Sequence, residues 1–225
     1  MITDLPIYVY ITFFIALLFS LRMFYLASNK NIKFSIGITL WGVLHSMLAY
    51  SGFYENTHTI PPRFLLLVFP MMVIVLSTIF SKKMQNWLGT FTLKQLTYLH
   101  VVRVLVELVL FWLFVGSYVP QLLTFEGQNF DILAGITAPI VAFISFRKNT
   151  INKPLLWIWN AFSIILLTNV LVHAVLSTPT VLQKFAFDQP NIAVMKFPFL
   201  LLPSVIVPIV LISNMAGFVI LSRKE

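Results

Sequence analysis

The chain has 225 residues, of which 59% are hydrophobic and only 10% are charged, and its mean hydropathy is +0.93. A soluble domain has about half apolar and about a quarter charged residues, so this composition excludes a soluble globular fold and predicts an integral membrane protein. The absence of cysteine from the sequence excludes disulfides, thiolate metal sites and cysteine nucleophiles.

The apolar segments have the length of membrane-spanning helices. A bilayer core of about 30 Å takes about 20 apolar residues in a helix, whereas barrel strands would alternate over blocks of about 10. The first segment follows an acidic, lysine-free start and is too long for a cleaved secretory signal, so we expect a retained helix. The sequence therefore predicts one all-α domain, a polytopic membrane helical bundle over residues 1–225. The seven predicted spans are 5–27, 35–53, 62–80, 95–118, 130–146, 155–176 and 197–221.

The basic residues of the connections are distributed unequally between the two sides of the membrane. Arg63, Lys184 and Lys196 fall on one side, and ten basic residues fall on the other. By the positive-inside rule the N-terminus is predicted outside and the C-terminus inside. This topology accounts for the net charge of +8, so no nucleic-acid partner is predicted. The ten inner residues are Lys30, Lys33, Lys82, Lys83, Lys94, Arg147, Lys148, Lys153, Arg223 and Lys224.

The third and seventh predicted spans begin alike, with RFLLL from Arg63 and KFPFLLL from Lys196. Each follows a span with a histidine near its outer end, His45 and His173 respectively. This pattern indicates two parallel triple-helix units joined by the fourth span, a 3+1+3 plan that resembles the SWEET sugar transporters. The resemblance implies a seven-span transporter with its N-terminus outside. That family has a Pro-Gln motif within a helix of each repeat, whereas this chain has a single pair, at 120–121, where the fourth span ends.

The segment TFEGQNFDILAGITAPI, residues 124–140, together with the seven-span layout, resembles a motif of small uncharacterised bacterial integral membrane proteins. This resemblance covers most of the chain. It implies the bacterial inner membrane and supplies no activity.

The fourth span carries three ionisable residues within one apolar stretch. At about 100° per residue, His100, Arg103 and Glu107 lie within an arc of about 60°. Because a charged side chain at the bilayer centre costs ~2.5–3.5 kcal/mol, we expect this face to point into the bundle or a wet cavity. Arg103 and Glu107, four residues apart, are predicted to be able to form an ion pair. Two interpretations stay open: a pair that fixes helix packing, or a proton relay in which Glu107 titrates and His100 passes protons inward.

A second set of polar residues is predicted to form an outer vestibule. Arg63 follows two prolines and Lys196 precedes Pro198, so each begins a helix whose N-terminal dipole is positive. Together they predict a mouth that attracts a small anionic solute, although snorkelling side chains explain both cations nearly as well. The vestibule residues are His45, Arg63, Glu126, Asp131, His173 and Lys196.

No cofactor is predicted from a recognised motif. His45 and His173 are candidate ligands of haem or a divalent metal, although histidines on separate spans form no motif. The chain has no GxSxG, HExxH, P-loop or GxGxxG. SNMAG at 213–217 stands where the seven-span hydrolases of the alkaline ceramidase and adiponectin-receptor group have an HxxxH pair. A membrane enzyme is therefore the less favoured interpretation.

The last two spans contain polar and proline residues in helix interiors. Each interior proline of the seventh span frees a backbone carbonyl, which predicts a kinked helix of the kind that lines transport pathways. The sequence thus favours a small-solute or proton-coupled transporter, with the lipid bilayer as its surroundings and a small anionic solute or protons as ligands. A membrane-embedded enzyme, a metal- or haem-binding protein and a non-catalytic sensor or assembly partner stay open. The interior polar residues are Asn160, Asn169 and Asn214.

Overall fold

A computed structural model describes residues 1–147 and 151–223, so Lys148 and Lys224, two of the basic residues used for the orientation, lie outside the described residues. The described residues form α-helices joined by turns and short 3-10 segments, with no strand among them. The all-α prediction is confirmed. The helices are α1 (Ile7–Ala27), α2 (Ile32–Tyr50), α3 (Leu65–Phe80), α4 (Lys82–Leu88), α5 (Leu93–Leu99), α6 (Val102–Val115), α7 (Asp131–Phe146), α8 (Lys153–Leu176) and α9 (Val207–Leu221).

Within the described residues, five helical segments are at least 18 residues long and apolar enough to cross a membrane. They are α1, α2, α5 together with α6, α8, and Leu202–Leu221. α3 and α4 add a sixth if they are one span, bent by 102°, while α7 has only 16 residues. The lengths and apolar composition of these helices are compatible with a membrane protein, and the prediction of seven spans stays a prediction.

Two of the connections predicted to lie inside the cell contact each other at one end of the bundle, and the end of α9 contacts α4 there. Asn29 Nδ2 donates to the Thr90 carbonyl at 2.6 Å, which joins the α1–α2 and α4–α5 connections. Arg223 Nη2 donates to the Gln85 carbonyl at 3.1 Å, which joins the end of α9 to α4. We call this end of the bundle the α4 end.

The connections predicted to lie outside the cell meet at the other end of the bundle. The backbone N–H groups of Ile192 and Ala193 donate to the Tyr118 carbonyl at 3.0 and 3.1 Å. These bonds join two long connections that fold over the helix ends. We call residues 116–130 and 177–196 the outer cap.

The fourth predicted span changes helix geometry where its ionisable residues begin, between α5 and α6. The N–H of His100 donates to the Thr97 carbonyl and that of Arg103 to the His100 carbonyl, at 3.3 and 3.1 Å, so i→i+3 bonds replace i→i+4 bonds. An unbroken α-helix would pair the Leu96 carbonyl with the N–H of His100, and here that carbonyl accepts from Ser213 Oγ at 2.9 Å. The last span therefore compensates the break.

The last span is the centre of the bundle. Of the five long segments, Leu202–Leu221 is the most buried. Within an apolar stretch of 18 residues, 72% of its residues are buried, compared with 28% for α1. It begins with a π-helical turn, Leu202–Ile206, that contains Pro203 and leads directly into α9. A helix that is apolar on all sides is expected inside a bundle. The prolines of this span predict an irregular helix, and the irregularity observed is the π-helical turn.

Candidate functional site

The centre of the site is a buried ion pair between α6 and α7. Arg103 Nη1 lies 2.7 Å from Asp131 Oδ1, and the two side chains are 2% and 7% exposed. The same nitrogen donates to the Ser163 carbonyl at 3.0 Å. The ion pair predicted between Arg103 and Glu107 is therefore wrong, because the partner comes from another helix. Asp131, a residue of the predicted outer vestibule, is buried inside the bundle.

Gly135 explains how Asp131 reaches Arg103. A Cβ atom at Gly135 would lie 2.9 Å from the backbone nitrogen of Val104 and 3.2 Å from Arg103 Cβ. Only a residue without a side chain lets α7 approach the start of α6 this closely. Asp131 lies four residues earlier on the same face of α7, so the close approach directs its carboxylate to the guanidinium.

Glu107 is held by Asn129, a residue of the outer cap. Asn129 Nδ2 donates to Glu107 Oε1 at 2.5 Å and to the Leu123 carbonyl at 3.0 Å, while its Oδ1 accepts from the N–H of Asp131 at 3.0 Å. Asn129 thus connects the glutamate to the first residue of α7. We did not predict this role from the sequence, although an asparagine two residues before a helix start is a known local signal for such a bond.

Arg103, Glu107 and Asp131 line an interior cavity of about 70 Å³. The π-helical turn of the last span and the inner face of α8 also line it, and Asn191 and Val194 of the outer cap lie over it. A water molecule needs ~10–15 Å³ of such space, so the cavity can hold a few waters or one small solute.

Several buried polar atoms of the cavity-lining residues have no hydrogen-bond partner within the described part of the chain. They are Nε and Nη2 of Arg103, Oε2 of Glu107 and Oδ1 of Asn191. Leaving such a group buried without a partner costs ~1–3 kcal/mol, and more when the group is charged. The cavity therefore offers both donors and acceptors to a small polar species.

His100 is buried and lines a second, smaller cavity of about 10 Å³ towards the α4 end. Its Nδ1 lies 3.5 Å from Ser163 Oγ, and its ring packs edge-on against Trp159 with the centroids 5.1 Å apart. The smaller cavity is lined by His100 and Asn160. Because Arg103 bonds the carbonyl of Ser163 and His100 adjoins its hydroxyl, polar groups continue from one cavity to the next.

The interior asparagines join neighbouring elements of the bundle. Asn160 Nδ2 donates to the Asn214 carbonyl at 2.9 Å, which links α8 to α9 beside the smaller cavity. Asn169 Nδ2 donates to the Gln128 carbonyl at 2.8 Å, which links α8 to the outer cap. Asn160 and Asn214 are buried, whereas Asn169 is half-buried.

Three of the predicted vestibule residues lie apart from the cavity. His45 Nδ1 is hydrogen-bonded to the hydroxyl of Tyr54, and burial raises the pKa of Tyr54 to about 12. Arg63 Nη1 donates to the Phe53 carbonyl at 3.3 Å, and its guanidinium lies 4.7 Å from the centre of that ring. Glu126 is exposed in the outer cap. None of the three lines the cavity of Arg103.

Lys196 lies near the N-terminal segment. The pKa of Asp4 is lowered chiefly by a 2.5 Å hydrogen bond from the Tyr118 hydroxyl and to a smaller extent by the charge of Lys196. The same bond raises the pKa of Tyr118 to about 12. His173 is half-buried, with its ring 5.7 Å from that of Phe185. The structure therefore does not join the six vestibule residues into one site.

A metal centre finds no support in the arrangement of potential ligands. Within residues 1–147 and 151–223, no group of three or more histidine, cysteine, aspartate or glutamate side chains is placed to hold an ion. The haem or divalent-metal interpretation of His45 and His173 stays an untested prediction.

Comparison with known proteins gives a family and no activity. No curated protein and no solved structure matches the chain. A family model described as "Domain of unknown function (DUF8737)" matches residues 60–222. The match spans well over half of the chain and includes Arg103, Glu107 and Asp131, while α1 and α2 precede it. The chain therefore belongs to the family of this uncharacterised domain, DUF8737.

Proposed function

We propose that the chain crosses a bacterial inner membrane seven times, with its N-terminus outside. The two shorter helices also run from one end of the bundle to the other. Before α3, Phe64 packs in one cluster with Met195 of the outer cap, and α3 ends at α4. α7 begins at the outer cap, and Val141 in its second half shares a cluster with Leu221 near the α4 end. A helix of 16 residues is about 24 Å long, which the membrane accommodates by local thinning.

Reporter fusions test this orientation. A periplasm-active enzyme fused after Arg223 is expected to be inactive, and one inserted in the α2–α3 connection at Asn56 is expected to be active. Activity at the first position would overturn the proposal.

We propose that the protein transports a small monovalent anion together with a proton. The observation that supports this function is that one cavity contains both unpaired donors and an unpaired acceptor: among residues 1–147 and 151–223, Arg103 Nε and Nη2 have no acceptor and Glu107 Oε2 has no donor. A buried, unpaired charge is unfavourable, so ionisable groups inside a membrane bundle are functional-site candidates by default.

The charges of the cavity couple the two species. When Glu107 is ionised, two carboxylates oppose one guanidinium and the cavity repels an anion. When a proton adds to Glu107 Oε2, the Arg103–Asp131 pair is balanced and the free N–H groups of Arg103 can bind an anion. The proton and the anion therefore enter together, and loss of the anion favours loss of the proton.

The elements around the cavity provide routes for the anion and the proton to the two ends of the bundle. On the outer side the bonds between Tyr118 and residues 192–193 close the cap over the cavity. On the inner side His100 and the smaller cavity extend the polar groups towards the α4 end. The π-helical turn Leu202–Ile206 forms the facing wall, and such turns are frequent at functional sites because their backbone bonding is irregular. We assign the opening movement to this turn.

Proteoliposomes that contain a pH-sensitive dye test the function. An inward gradient of nitrate, chloride or lactate, tested one at a time, is expected to acidify the interior for at least one anion, and protein-free liposomes correct for leakage. Glu107→Gln is expected to abolish the acidification, whereas Glu126→Gln, in the exposed cap, is expected to leave it unchanged. Acidification by the Glu107→Gln protein at the wild-type rate, or by none of the anions with the wild type, would contradict the proposal.

A further inference from the structure

An apolar groove of about 440 Å³ opens between α2 and α3, away from the buried cavity. Both helices pack against the π-helical turn of the last span, so this span forms the floor of the groove. We call it the lateral groove, and define it by Lys33, Phe34, Gly37, Ile38, Trp41, Phe69, Pro70, Val73, Ile74, Met84, Ser204, Val205, Pro208 and Ile212.

The lateral groove faces the hydrocarbon of the membrane. Ile36 on α2 and Phe69 on α3, on either side of it, are 51% and 58% exposed. Large apolar side chains with this exposure on membrane helices contact lipid chains, so an acyl chain is the natural occupant of an apolar space between them.

One end of the lateral groove is basic. Lys33 lines it, and so does Met84 of α4. Two exposed lysines, Lys82 and Lys83, precede Met84 at the start of α4. In the predicted orientation this is the cytoplasmic end, where the inner leaflet presents its head groups.

Aromatic packing holds α4 beside this end. Trp87 of α4 packs against Phe34 of the lateral groove in a tilted arrangement, with their ring centroids 4.4 Å apart, and Leu88 is fully buried. The bend of 102° turns α4 across the end of α3. A short helix with lysines, a tryptophan and a buried leucine is suited to lie at the level of lipid head groups.

We propose that the lateral groove is a binding site for an anionic phospholipid of the inner leaflet. Its acyl chain lies between α2 and α3, and its phosphate is bound by Lys33 with Lys82 and Lys83 close by. The apolar walls account for the chain, and the cluster of positive charge at one end accounts for the preference for an anionic head group. The choice of the inner leaflet rests on the proposed orientation, whereas the inference does not depend on the proposed transport.

Gly37 provides a variant that fills the lateral groove. It lines the groove, and a Cβ atom added there would meet nothing within 4 Å, so Gly37→Phe is expected to occupy the space without disturbing the protein. Ile36→Phe on the same helix is the matched control, because Ile36 faces lipid outside the groove. For the charge, Lys33→Gln is compared with Lys94→Gln, an exposed lysine outside the groove.

Tryptophan quenching by brominated lipids reports occupancy, since Trp41 lines the lateral groove. The full chain in detergent is titrated with brominated phosphatidylglycerol or brominated phosphatidylcholine. We expect half-quenching at about fivefold lower mole fraction of the anionic lipid, the preference that one lysine near a head group provides. Trp41→Phe is expected to remove the component quenched at low lipid.

The variants decide the proposal. Gly37→Phe is expected to lose the component quenched at low lipid, and Lys33→Gln to lose most of the preference for the anionic lipid, while Ile36→Phe and Lys94→Gln keep both. Unchanged thermal melting without lipid verifies that each variant is folded. Equal quenching by the two lipids in the wild type would overturn the site, and so would a preference that persists in both Gly37→Phe and Lys33→Gln.

Discussion

Replacing Asp131 by leucine is predicted to lower the free energy of unfolding by about 3–5 kcal/mol, because the Arg103 guanidinium is left buried without its counter-charge. The magnitude follows from burial: the side chains are 2% and 7% exposed with their charged atoms 2.7 Å apart. Both side chains are shielded from bulk water, so the ~0–1 kcal/mol typical of surface pairs does not apply. The double variant Arg103→Met/Asp131→Leu removes both charges and is expected to be more stable than Asp131→Leu alone.

The assay is reversible unfolding of the purified chain in mixed micelles with increasing denaturing detergent, followed by circular dichroism. A double-mutant cycle of Arg103 and Asp131 is expected to give a coupling energy of ~1.5–3 kcal/mol, the upper part of the range for contacting residues. The matched cycle of Arg103 with Glu107 is expected to give a smaller one. If the effects of the Arg103 and Asp131 substitutions on the free energy of unfolding are additive, the reasoning is refuted. A larger coupling energy between Arg103 and Glu107 would instead support the ion pair that their i,i+4 spacing predicts.

Two further predictions concern close packing and the outer cap. Gly135→Leu is expected to cost about 1–3 kcal/mol in the same assay, because even its Cβ would lie 2.9 Å from the backbone nitrogen of Val104; Gly37→Leu, at an open position, serves as the control, and equal costs would contradict the argument. Asp4→Asn is expected to lower the pKa of Tyr118 from about 12 towards 10.0, seen as earlier tyrosinate absorbance in an alkaline titration. Tyr118→Phe identifies that transition by removing it, and an Asp4→Asn curve identical to wild type would contradict the hydrogen bond.

The all-α fold class can be predicted from the composition, whereas the short helix α4 and the exact helix ends cannot. The stretch around KKMQNWL reads as a polar connection, yet it forms α4, because Trp87 and Leu88 pack on the bundle. Hydropathy predicts the second span at 35–53, whereas α2 begins earlier, at Ile32, because the side chain of Asn31 accepts a hydrogen bond from the N–H of Phe34 and caps the helix. Such short packing and capping effects leave little trace in hydropathy.

The burial of the ionisable face was predictable, whereas the partners were not. The cost of charge in hydrocarbon required Arg103 and Glu107 to face inward, and both are buried. The i,i+4 spacing offers a local partner, but the observed partner, Asp131, is 28 residues away and depends on the close approach at Gly135. Asn191 belongs to a connection, and periodicity cannot indicate which residue of a connection folds back over a cavity.

The hydrogen bond between Asp4 and Tyr118 predicts how the stability of the outer cap changes with pH. The pKa of Asp4 is lowered in the folded chain, so the bond stabilises the outer cap above the unfolded pKa of Asp4 and its contribution is lost as pH falls through the folded pKa. Acidification is therefore expected to loosen this contact, and Asp4→Asn is expected to remove the dependence.

Comparing exchange with accumulation in the Glu107→Gln protein tests the central claim most directly. Proteoliposomes are assayed for exchange of a labelled anion at equal concentrations on both sides, and for uphill uptake driven by an inward proton gradient. Glutamine has the shape and neutrality of the protonated acid, so we predict that exchange continues while proton-driven accumulation is lost. If Glu107→Gln accumulates the anion as the wild type does, the buried glutamate is a structural group and the proposed coupling is wrong.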